Sequence, residues 1–332
     1  MRPLSYLRAT APAEAVAAVA ADPAGAFLAG GTTAVDLLRQ NVLRHDRLVD
    51  IGGLPLAGIE ETPAGGLRIG ALTRMSEAAA HPLVRERFPL LAQALELGAS
   101  PQLRNMATMG GNLLQRVRCA YYRDAVSPCN KREPGSGCSA LGGVNRGHAV
   151  LGTSEHCIAT HPSDLAVALT ALDARVHTLR EAGERSFHIE EFLLPPGDTP
   201  HIETPLEHGE LITAIEVPDT PTARTSRYLK IRDRASYEFA LAAVAATLRL
   251  EGGRISGVRI ALGGVATTPW RARHAERLLL GAAAEPGVFD EAARAELADA
   301  RTTPMNAFKV ELTRRALVRV LRTLAGTPEG EQ

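Results

Sequence analysis

The sequence predicts an α+β protein of two domains, with one irregular segment inserted into the first. Short apolar segments of strand character and alanine- or leucine-rich segments of helical character occur along the chain. Turn signals at residues 195–198 and 218–221 contain proline and aspartate, and the second of them puts the main boundary near residue 220. Residues 116–158 are rich in Gly, Arg, Cys and Pro, and we expect them to be ordered by what they bind.

The length and composition are typical of a globular protein, and its balanced charge does not indicate a strongly charged macromolecular partner. Hydrophobic residues make up 45% of the 332 residues and charged residues 22%, which are ordinary values. The 37 basic residues balance the 37 acidic ones, so no overall field favours nucleic acid or an anionic membrane. No apolar run reaches the roughly 18 residues that predict a membrane span.

The N-terminal segment carries no export signal. Residues 1–6 have no long apolar core and no twin arginine, so they are not interpreted as a signal peptide. We therefore expect a periplasmic location only through export together with a signal-bearing partner, and a cytoplasmic location otherwise.

In the first domain, residues 1–220, helices and strands are predicted to alternate. Residues 13–21 are rich in alanine, the strongest helix former, and residues 89–97 have apolar positions at helical spacing. The predicted helices are 13–21, 34–39, 89–97 and 165–169, and the predicted strands are 26–29, 48–51, 67–70 and 174–179.

The second domain, residues 221–332, is predicted to have strand-like and helical parts in separate blocks. Apolar segments at 241–250 and 255–262 come first, and helices around 271–280 and 312–324 close the chain. This order is typical of an α+β domain.

Two glycine turns are the first candidate binding features. Gly30 and Gly31 follow the predicted strand 26–29 and precede a helix start, a geometry that presents backbone N–H groups to a pyrophosphate. The alternative is a plain tight turn that caps a helix. A second loop of the same kind contains Gly110 and Gly111. Neither loop has the sequence of a P-loop or of the Gly-x-Gly-x-x-Gly dinucleotide fingerprint.

All four cysteines of the chain lie in the irregular segment: Cys119, Cys129, Cys138 and Cys157. Paired disulfides suit small exported domains, and structural zinc sites usually contain close Cys-x2-Cys pairs. The spacing here is Cys-x9-Cys-x8-Cys-x18-Cys, which lacks such pairs. An iron–sulfur cluster takes four thiolates and tolerates irregular loops around it. The spacing therefore favours a cluster, with zinc as the open alternative and four unrelated thiols disfavoured by their clustering.

Basic and imidazole side chains surround the cysteines in sequence. The basic ones would offset the charge of a thiolate cluster or form a solvated, partner-facing loop; they are Arg116, Arg118, Arg123, Lys131 and Arg132. The histidines are interpreted as structural or hydrogen-bonding, because four thiols suffice as ligands; they are His148, His156 and His161. No nucleophilic triad, His-Glu-x-x-His motif or paired carboxylates stand out, so the sequence predicts an electron carrier without a substrate-transforming site.

Three segments carry a family resemblance: residues 29–32, residues 104–112, and Ser163 with Asp164. They resemble the flavin-binding subunit of the xanthine dehydrogenase family of molybdenum hydroxylases. The resemblance runs over nearly the whole chain and includes a C-terminal domain similar to that of the carbon monoxide dehydrogenase flavoprotein. Residues 118–157 resemble an insertion in the FAD subunit of periplasmic aldehyde oxidoreductases, where it holds a [4Fe-4S] cluster.

The resemblance implies a two-lobed, vanillyl-alcohol-oxidase-like FAD domain over residues 1–220, followed by a carbon monoxide dehydrogenase flavoprotein-like α+β domain over 221–332. It implies non-covalent FAD, because no His or Cys matches a covalent attachment site. The implied FAD-binding residues are Ala29, Gly30, Gly31, Thr32, Thr33, Asn105, Thr108, Gly110, Gly111, Asn112, Ser163, Asp164, Ile212 and Lys230. The implied ligands of a [4Fe-4S] cluster are the four cysteines of the 116–158 insertion.

The function implied by the resemblance is that of an electron-transfer flavoprotein subunit of a molybdenum-dependent aldehyde oxidoreductase. In such a heterotrimer a molybdenum-cofactor subunit oxidises the substrate, a [2Fe-2S] subunit passes the electrons to FAD, and an external acceptor receives them. One alternative is an assembly subunit that binds FAD structurally and carries a zinc-stabilised interface loop. Another is a self-sufficient flavin oxidase for a small alcohol, against which the cysteine loop and the lack of a covalent attachment residue both argue.

Overall fold

The computed structural model describes residues 3–326. Met1 and Arg2, which belong to the segment compared with signal peptides, lie outside the described residues, as do residues 327–332 of the predicted second domain.

The chain begins with a small parallel sheet. Its strands are β1 (Ser5–Arg8), β2 (Gly25–Leu28) and β3 (Arg47–Asp50), in the order β1-β3-β2. Helix α1 (Pro12–Ala20) connects β1 to β2, and helix α2 (Ala34–Arg39) connects β2 to β3. Parallel neighbours require such crossover connections, and here they leave the loop after β2 at the carboxyl end of a strand.

A five-stranded antiparallel sheet forms the second lobe of this part. The strands are β4 (Ile59–Glu61), β5 (Leu67–Gly70), β6 (Arg175–Arg180), β7 (Gly183–His188) and β8 (Leu211–Val217), in the order β4-β5-β8-β6-β7. Between β5 and β6 the chain leaves the sheet and forms most of the helices of the lobe. These are α3 (Met75–Ala80), α4 (Pro82–Arg87), α5 (Pro89–Leu97), α6 (Pro101–Arg104), α7 (Met109–Leu113), α8 (Ala120–Arg123), α9 (Ser139–Gly142) and α10 (Asp164–Ala171), with α11 (Ile189–Phe192) after β7.

The C-terminal part is an antiparallel sheet covered by helices. Its strands are β9 (Ser226–Ile231), β10 (Ala242–Glu251), β11 (Arg254–Gly263) and β12 (Trp270–Arg271), in the order β12-β11-β10-β9. The helices that follow are α12 (Arg273–Leu279), α13 (Pro286–Glu296) and α14 (Phe308–Leu324).

The faces of β10 pack against helices from both parts of the chain. Ala243 and Ala245 belong to the core that contains α5 and α10, whereas Val244 and Leu248 belong to the core that contains α12, α13 and α14. Successive side chains of a strand point to opposite faces, so the alternation places the C-terminal sheet between two helical layers. Helix α10 also contacts β11, so the start of α10 is fixed by both parts of the chain.

The α+β class is confirmed, and most predicted segments correspond to elements whose ends match the prediction or differ from it by one or two residues. The predicted helix 13–21 is Pro12–Ala20, and the predicted strand 174–179 is Arg175–Arg180. The predicted boundary near 220 falls between β8 and β9. Among the described residues, no helix combines the length and the apolar character needed to cross a bilayer.

The 116–158 segment is irregular apart from the single-turn helices α8 and α9. Part of the segment nevertheless packs in apolar surroundings. Two of its cysteines join a small apolar cluster at its base, which also draws on the α2 region: Leu37, Val42, Val117, Tyr122, Cys129, Cys157 and Ala159.

Candidate functional site

The loop after β2 supplies a row of free backbone donors. Within residues 3–326, no protein group accepts a hydrogen bond from the backbone N–H of Gly30, Gly31, Thr32 or Thr33. All four residues line a cavity of about 320 Å³. Gly31 has φ +70°, in the left-handed region that favours glycine. Consecutive N–H groups in such a turn form a concave donor site that suits an anion such as a pyrophosphate.

The second glycine loop differs, because its backbone donors are already used. Gly110 N–H donates to the Ala71 carbonyl at 2.8 Å, Gly111 N–H to Thr108 Oγ at 3.2 Å, and Asn112 N–H to the Thr108 carbonyl at 2.9 Å. Thr108 is the N-cap of α7, which explains the bond to Gly111. The expectation of two loops with free backbone donors is therefore wrong for the second loop, although Thr108, Gly110 and Gly111 still line the cavity.

The four glycines differ in what a side chain at each position would meet. A Cβ on Gly30 would lie 2.0 Å from the Met106 carbonyl oxygen, and a Cβ on Gly110 would lie 2.9 Å from the Ala71 Cβ, so both permit close packing within the protein. A Cβ on Gly31 would meet the Val35 side chain at 3.2 Å, and one on Gly111 would meet Thr108 Oγ at 2.8 Å. Gly30 thus brings the two loops into contact.

A second cavity of about 370 Å³ adjoins the first, and Thr32, Thr33 and Gly111 line both. Its walls include Asn112 from α7 and Lys230 from β9. Together the two cavities form a cleft of the size and mixed polarity typical of cofactor sites. The free donors of the first loop and this elongated shape fit a dinucleotide such as FAD.

A buried ion pair fixes one wall of the second cavity. Asp164 lies at the start of α10 and accepts from Lys230 Nζ at 2.8 Å and from Tyr228 OH at 2.6 Å. The Lys230 side chain is 1% exposed and also donates to the Leu97 carbonyl at 3.1 Å. Burial raises the pKa of Asp164, and Lys230 and Tyr228 oppose that rise. The pair joins β9 of the C-terminal part to α10 and α5.

Most of the predicted FAD residues line the cleft, namely Ala29, Gly30, Gly31, Thr32, Thr33, Thr108, Gly110, Gly111, Asn112, Asp164, Ile212 and Lys230. Ser163 caps α10 through the Ala166 N–H and donates its hydroxyl to Asn112 Oδ1, so these two predicted residues are brought together. Asn105 is exposed at the end of α6 and lines neither cavity.

Sequence reasoning missed several residues of the cleft. His45 and Glu210 line the first cavity, and Arg234, Tyr237 and Phe239, from the loop between β9 and β10, line the second. They lie in segments without glycine or cysteine signals. Ile212 and Lys230 are the predicted FAD-binding residues that lie nearest in sequence to Glu210 and to the loop between β9 and β10.

The four cysteines line one small cavity and are all free thiols. Cys129 and Cys138 face each other as an isolated antiparallel pair. The Ala159 N–H donates to Cys157 Sγ at 3.5 Å. Burial raises the pKa of Cys119 to about 11, so a bound metal would be needed to hold this sulfur as a thiolate at neutral pH.

The placement of the cysteine sulfurs can be compared with the sulfur–sulfur distances of a tetrahedral zinc site. Zn–S bonds of about 2.3 Å in a tetrahedral site put the sulfurs about 3.8 Å apart. In residues 3–326, only one trio of potential ligand side chains has all its donor atoms within 4.8 Å, and it contains no cysteine. No three of the four cysteine sulfurs lie within 4.8 Å of one another, so the cysteines line a common space without forming the compact ligand set of one zinc ion.

The one trio that meets this distance is Asp173, His188 and Glu190. Arg271 pairs with Asp173 at 2.5 Å, and Arg273 pairs with Glu190 at 2.6 Å. These carboxylates are part of an ion-pair network, so the trio is interpreted as structural.

The basic residues around the cysteines have partners in the protein. Arg116 and Lys131 both pair with Glu203, and Arg123 pairs with Asp36. Arg132 donates to the carbonyls of Tyr121 and Tyr122, at 2.8 and 2.9 Å. They hold the loop together and are not a free basic surface.

The three histidines make different contacts. His156 pairs with Asp198 at 3.4 Å, and Nδ1 of the half-buried His161 accepts from the Ser163 N–H at 3.4 Å. His148 Nε2 lies 3.2 Å from Cys119 Sγ.

Comparisons with known proteins agree with the fold and with the cleft. The family described as the FAD binding domain in molybdopterin dehydrogenase matches residues 2–220, and the CO dehydrogenase flavoprotein C-terminal domain matches residues 227–324. The chain therefore belongs to the FAD-binding subunits of the xanthine dehydrogenase, or molybdenum hydroxylase, family. The predicted family and the predicted combination of domains are confirmed.

Individual relatives cover nearly the whole chain. The aldehyde oxidoreductase FAD-binding subunit PaoB of Escherichia coli (strain K12) is 50% identical over 97% of this chain and 98% of that protein. The glyceraldehyde dehydrogenase medium chain of Sulfolobus acidocaldarius is 30% identical over 83% of this chain and 81% of that protein. A chain of carbon monoxide dehydrogenase from Hydrogenophaga pseudoflava superposes with a TM-score of 0.75 at 25% identity, covering 99% of each chain.

Proposed function

We propose that this chain is the electron-transfer flavoprotein subunit of a molybdenum-dependent aldehyde oxidoreductase. It receives electrons from a [2Fe-2S] partner and delivers them from FAD to an external acceptor, within a heterotrimer that also contains a molybdenum-cofactor subunit. The observation that carries the proposal is the 50% identity to an aldehyde oxidoreductase FAD-binding subunit over 97% of the chain. The cleft supports it, because the free backbone donors of residues 30–33 and the two adjoining cavities suit a dinucleotide.

The residues of the cleft have distinct roles toward FAD. The free N–H groups of residues 30–33 would hold the pyrophosphate, and Gly31 keeps a side chain away from them. The buried pair of Asp164 and Lys230 keeps the wall of the second cavity in place. Bound FAD would supply the exchange between paired and single electrons.

The same proposal includes one [4Fe-4S] cluster held by Cys119, Cys129, Cys138 and Cys157, which would supply a carrier of single electrons. The cavity that all four cysteines line supports this ligand set. Burial raises the pKa of Cys157 and the positive charge of Lys131 only partly opposes that rise, so a bound metal would be needed to hold this sulfur as a thiolate as well.

The isolated chain, loaded with FAD, should have no aldehyde-oxidising activity, whereas the heterotrimer should have it. The isolated chain should still reduce an artificial acceptor when a chemical reductant supplies the electrons. The measurement is aldehyde-dependent and reductant-dependent dye reduction by both preparations. Aldehyde turnover by the isolated chain would contradict the proposal.

Metal analysis tests the cluster. Iron and acid-labile sulfide should each approach about four per chain, the composition of a [4Fe-4S] cluster, and the visible spectrum should show iron–sulfur absorbance beside the flavin bands. One zinc per chain without iron, together with a visible spectrum that shows only flavin bands, would contradict the cluster and support a zinc-stabilised loop.

A further inference from the structure

His148 is the one imidazole in the 116–158 segment whose ring contacts a cysteine sulfur: Nε2 lies 3.2 Å from Cys119 Sγ. The residue is 8% exposed, and its Nδ1 is buried without a hydrogen-bond partner among residues 3–326. A neutral imidazole carries one N–H, on either nitrogen. Because Nδ1 has no acceptor beside it and Nε2 faces a sulfur, the tautomer with the proton on Nε2 is favoured. A metal-bound Cys119 thiolate can only accept, so with a metal in place the Nε2–H of His148 is the donor in this contact.

The C-terminal part of the chain holds His148 in this position. Lys309 Nζ donates to the Gly147 carbonyl at 2.9 Å and to the Gly264 carbonyl at 2.7 Å. Asn306 Nδ2 donates to the Ala149 carbonyl at 3.2 Å. The side chains of Lys309 and Asn306 are fully buried, so the backbone on both sides of His148 is fixed from within the fold.

The Cys119 sulfur also receives backbone donors. The N–H groups of Tyr121 and Tyr122 act on it from the start of α8. Backbone donors of this kind stay in place when side chains are exchanged. The imidazole, by contrast, is a hydrogen-bonding side chain at this sulfur that a single substitution can remove.

We propose that His148 is a positioning and tuning residue, which donates its Nε2–H to Cys119 Sγ and thereby raises the reduction potential of the centre that the cysteines hold. The proposal rests on the [4Fe-4S] cluster of the proposed function. Reduction adds one electron, and the ligand sulfurs become more negative. A donor to sulfur stabilises the reduced state more than the oxidised state, because a charged acceptor makes the stronger hydrogen bond.

The test is a redox titration of the iron–sulfur signal in the complete heterotrimer. His148→Leu should lower the equilibrium constant for reduction of the cluster about tenfold, which for a one-electron couple is about 59 mV. His148→Gln keeps an N–H donor near the position of Nε2 and should restore most of this loss. The flavin midpoint should move less than the cluster midpoint in both variants.

His156→Leu is the matched control. It removes the same type of side chain beside the ligand Cys157, but the His156 ring pairs with Asp198 rather than with a sulfur. Its cluster midpoint should equal that of the unmodified protein. An equal shift in His156→Leu, or no shift in His148→Leu, would overturn the role of His148 while leaving the cluster in place.

A second measurement covers the case in which His148→Leu does not retain its iron. In the unmodified protein with ¹⁵N-labelled histidine, the reduced cluster should show a magnetic coupling to one histidine nitrogen, and His148→Gln should abolish that coupling. A coupling that is absent from the unmodified protein, or that persists in His148→Gln, contradicts the contact. A lack of iron in the unmodified protein defeats the cluster itself, and with it this inference, so the two failures are distinguishable.

Discussion

Replacing Gly31 by valine is expected to lower the affinity for FAD about 100-fold. Gly31 has φ +70°, a conformation that costs a β-branched residue about 1–2 kcal/mol, so the loop would move its N–H donors. The loss of charge-assisted hydrogen bonds to phosphate adds about 1.5–3 kcal/mol. A total near 3 kcal/mol corresponds to about 100-fold in affinity. Flavin content and a titration of the apoprotein with FAD measure the effect.

Two further glycine variants make the result specific. Gly111→Val should also weaken FAD binding, because Gly111 lines both cavities. Gly252→Val is the control: it lies in the turn between β10 and β11 with φ +57°, and a Cβ there meets nothing within 4 Å. It carries the same backbone strain away from the cleft and should keep its flavin. Full flavin occupancy in Gly31→Val would refute the assignment of the first loop to the pyrophosphate.

Replacing Cys129 by serine is expected to remove most of the iron and to make the 116–158 loop sensitive to protease. Much of this loop lacks regular structure, so bound metal would supply a large part of its ordering free energy. The apolar core on either side of the loop should stay folded. Flavin affinity should weaken less than in Gly31→Val, because Asn112 and Asp164 lie near the two ends of the loop.

The measurements are iron content, limited proteolysis and flavin content. Ser139→Ala is the control in the same loop: the Ser139 hydroxyl donates to the Pro128 carbonyl at 3.1 Å, and the change removes no thiol. It should behave as the unmodified protein. If Cys129→Ser keeps both its loop protection and its flavin, then metal is not what organises this region.

The sequence was most informative where local patterns determine structure. Helix Ala34–Arg39 and strand Leu67–Gly70 were predicted to the residue, since their apolar patterns and flanking turns are local. Strand β1 (Ser5–Arg8) was missed because all four of its residues are exposed, and backbone pairing with β3 holds it. Burial patterns carry no signal for such a strand.

In the candidate site, too, local features could be predicted from the sequence and long-range contacts could not. Its glycines and cysteines could be selected from the sequence because of their chemistry and their clustering. The loss of free donors in the second loop could not be predicted, since their acceptors belong to distant residues such as Ala71. The hydrogen bonds of Asp164 to Tyr228 and Lys230 could not be predicted either, because more than 60 residues of chain separate the partners.

The sharing of α5 and α10 between two sheets has a consequence for synthesis on the ribosome. When residues 1–220 have emerged, the Asp164 carboxylate still lacks Lys230 and Tyr228, and the faces of both helices still lack Ala243 and Ala245. We therefore expect the packing of residues 1–220 to be completed only after β9 to β11 have been translated. A separately expressed fragment of residues 1–220 should be less stable than the same residues in the whole chain.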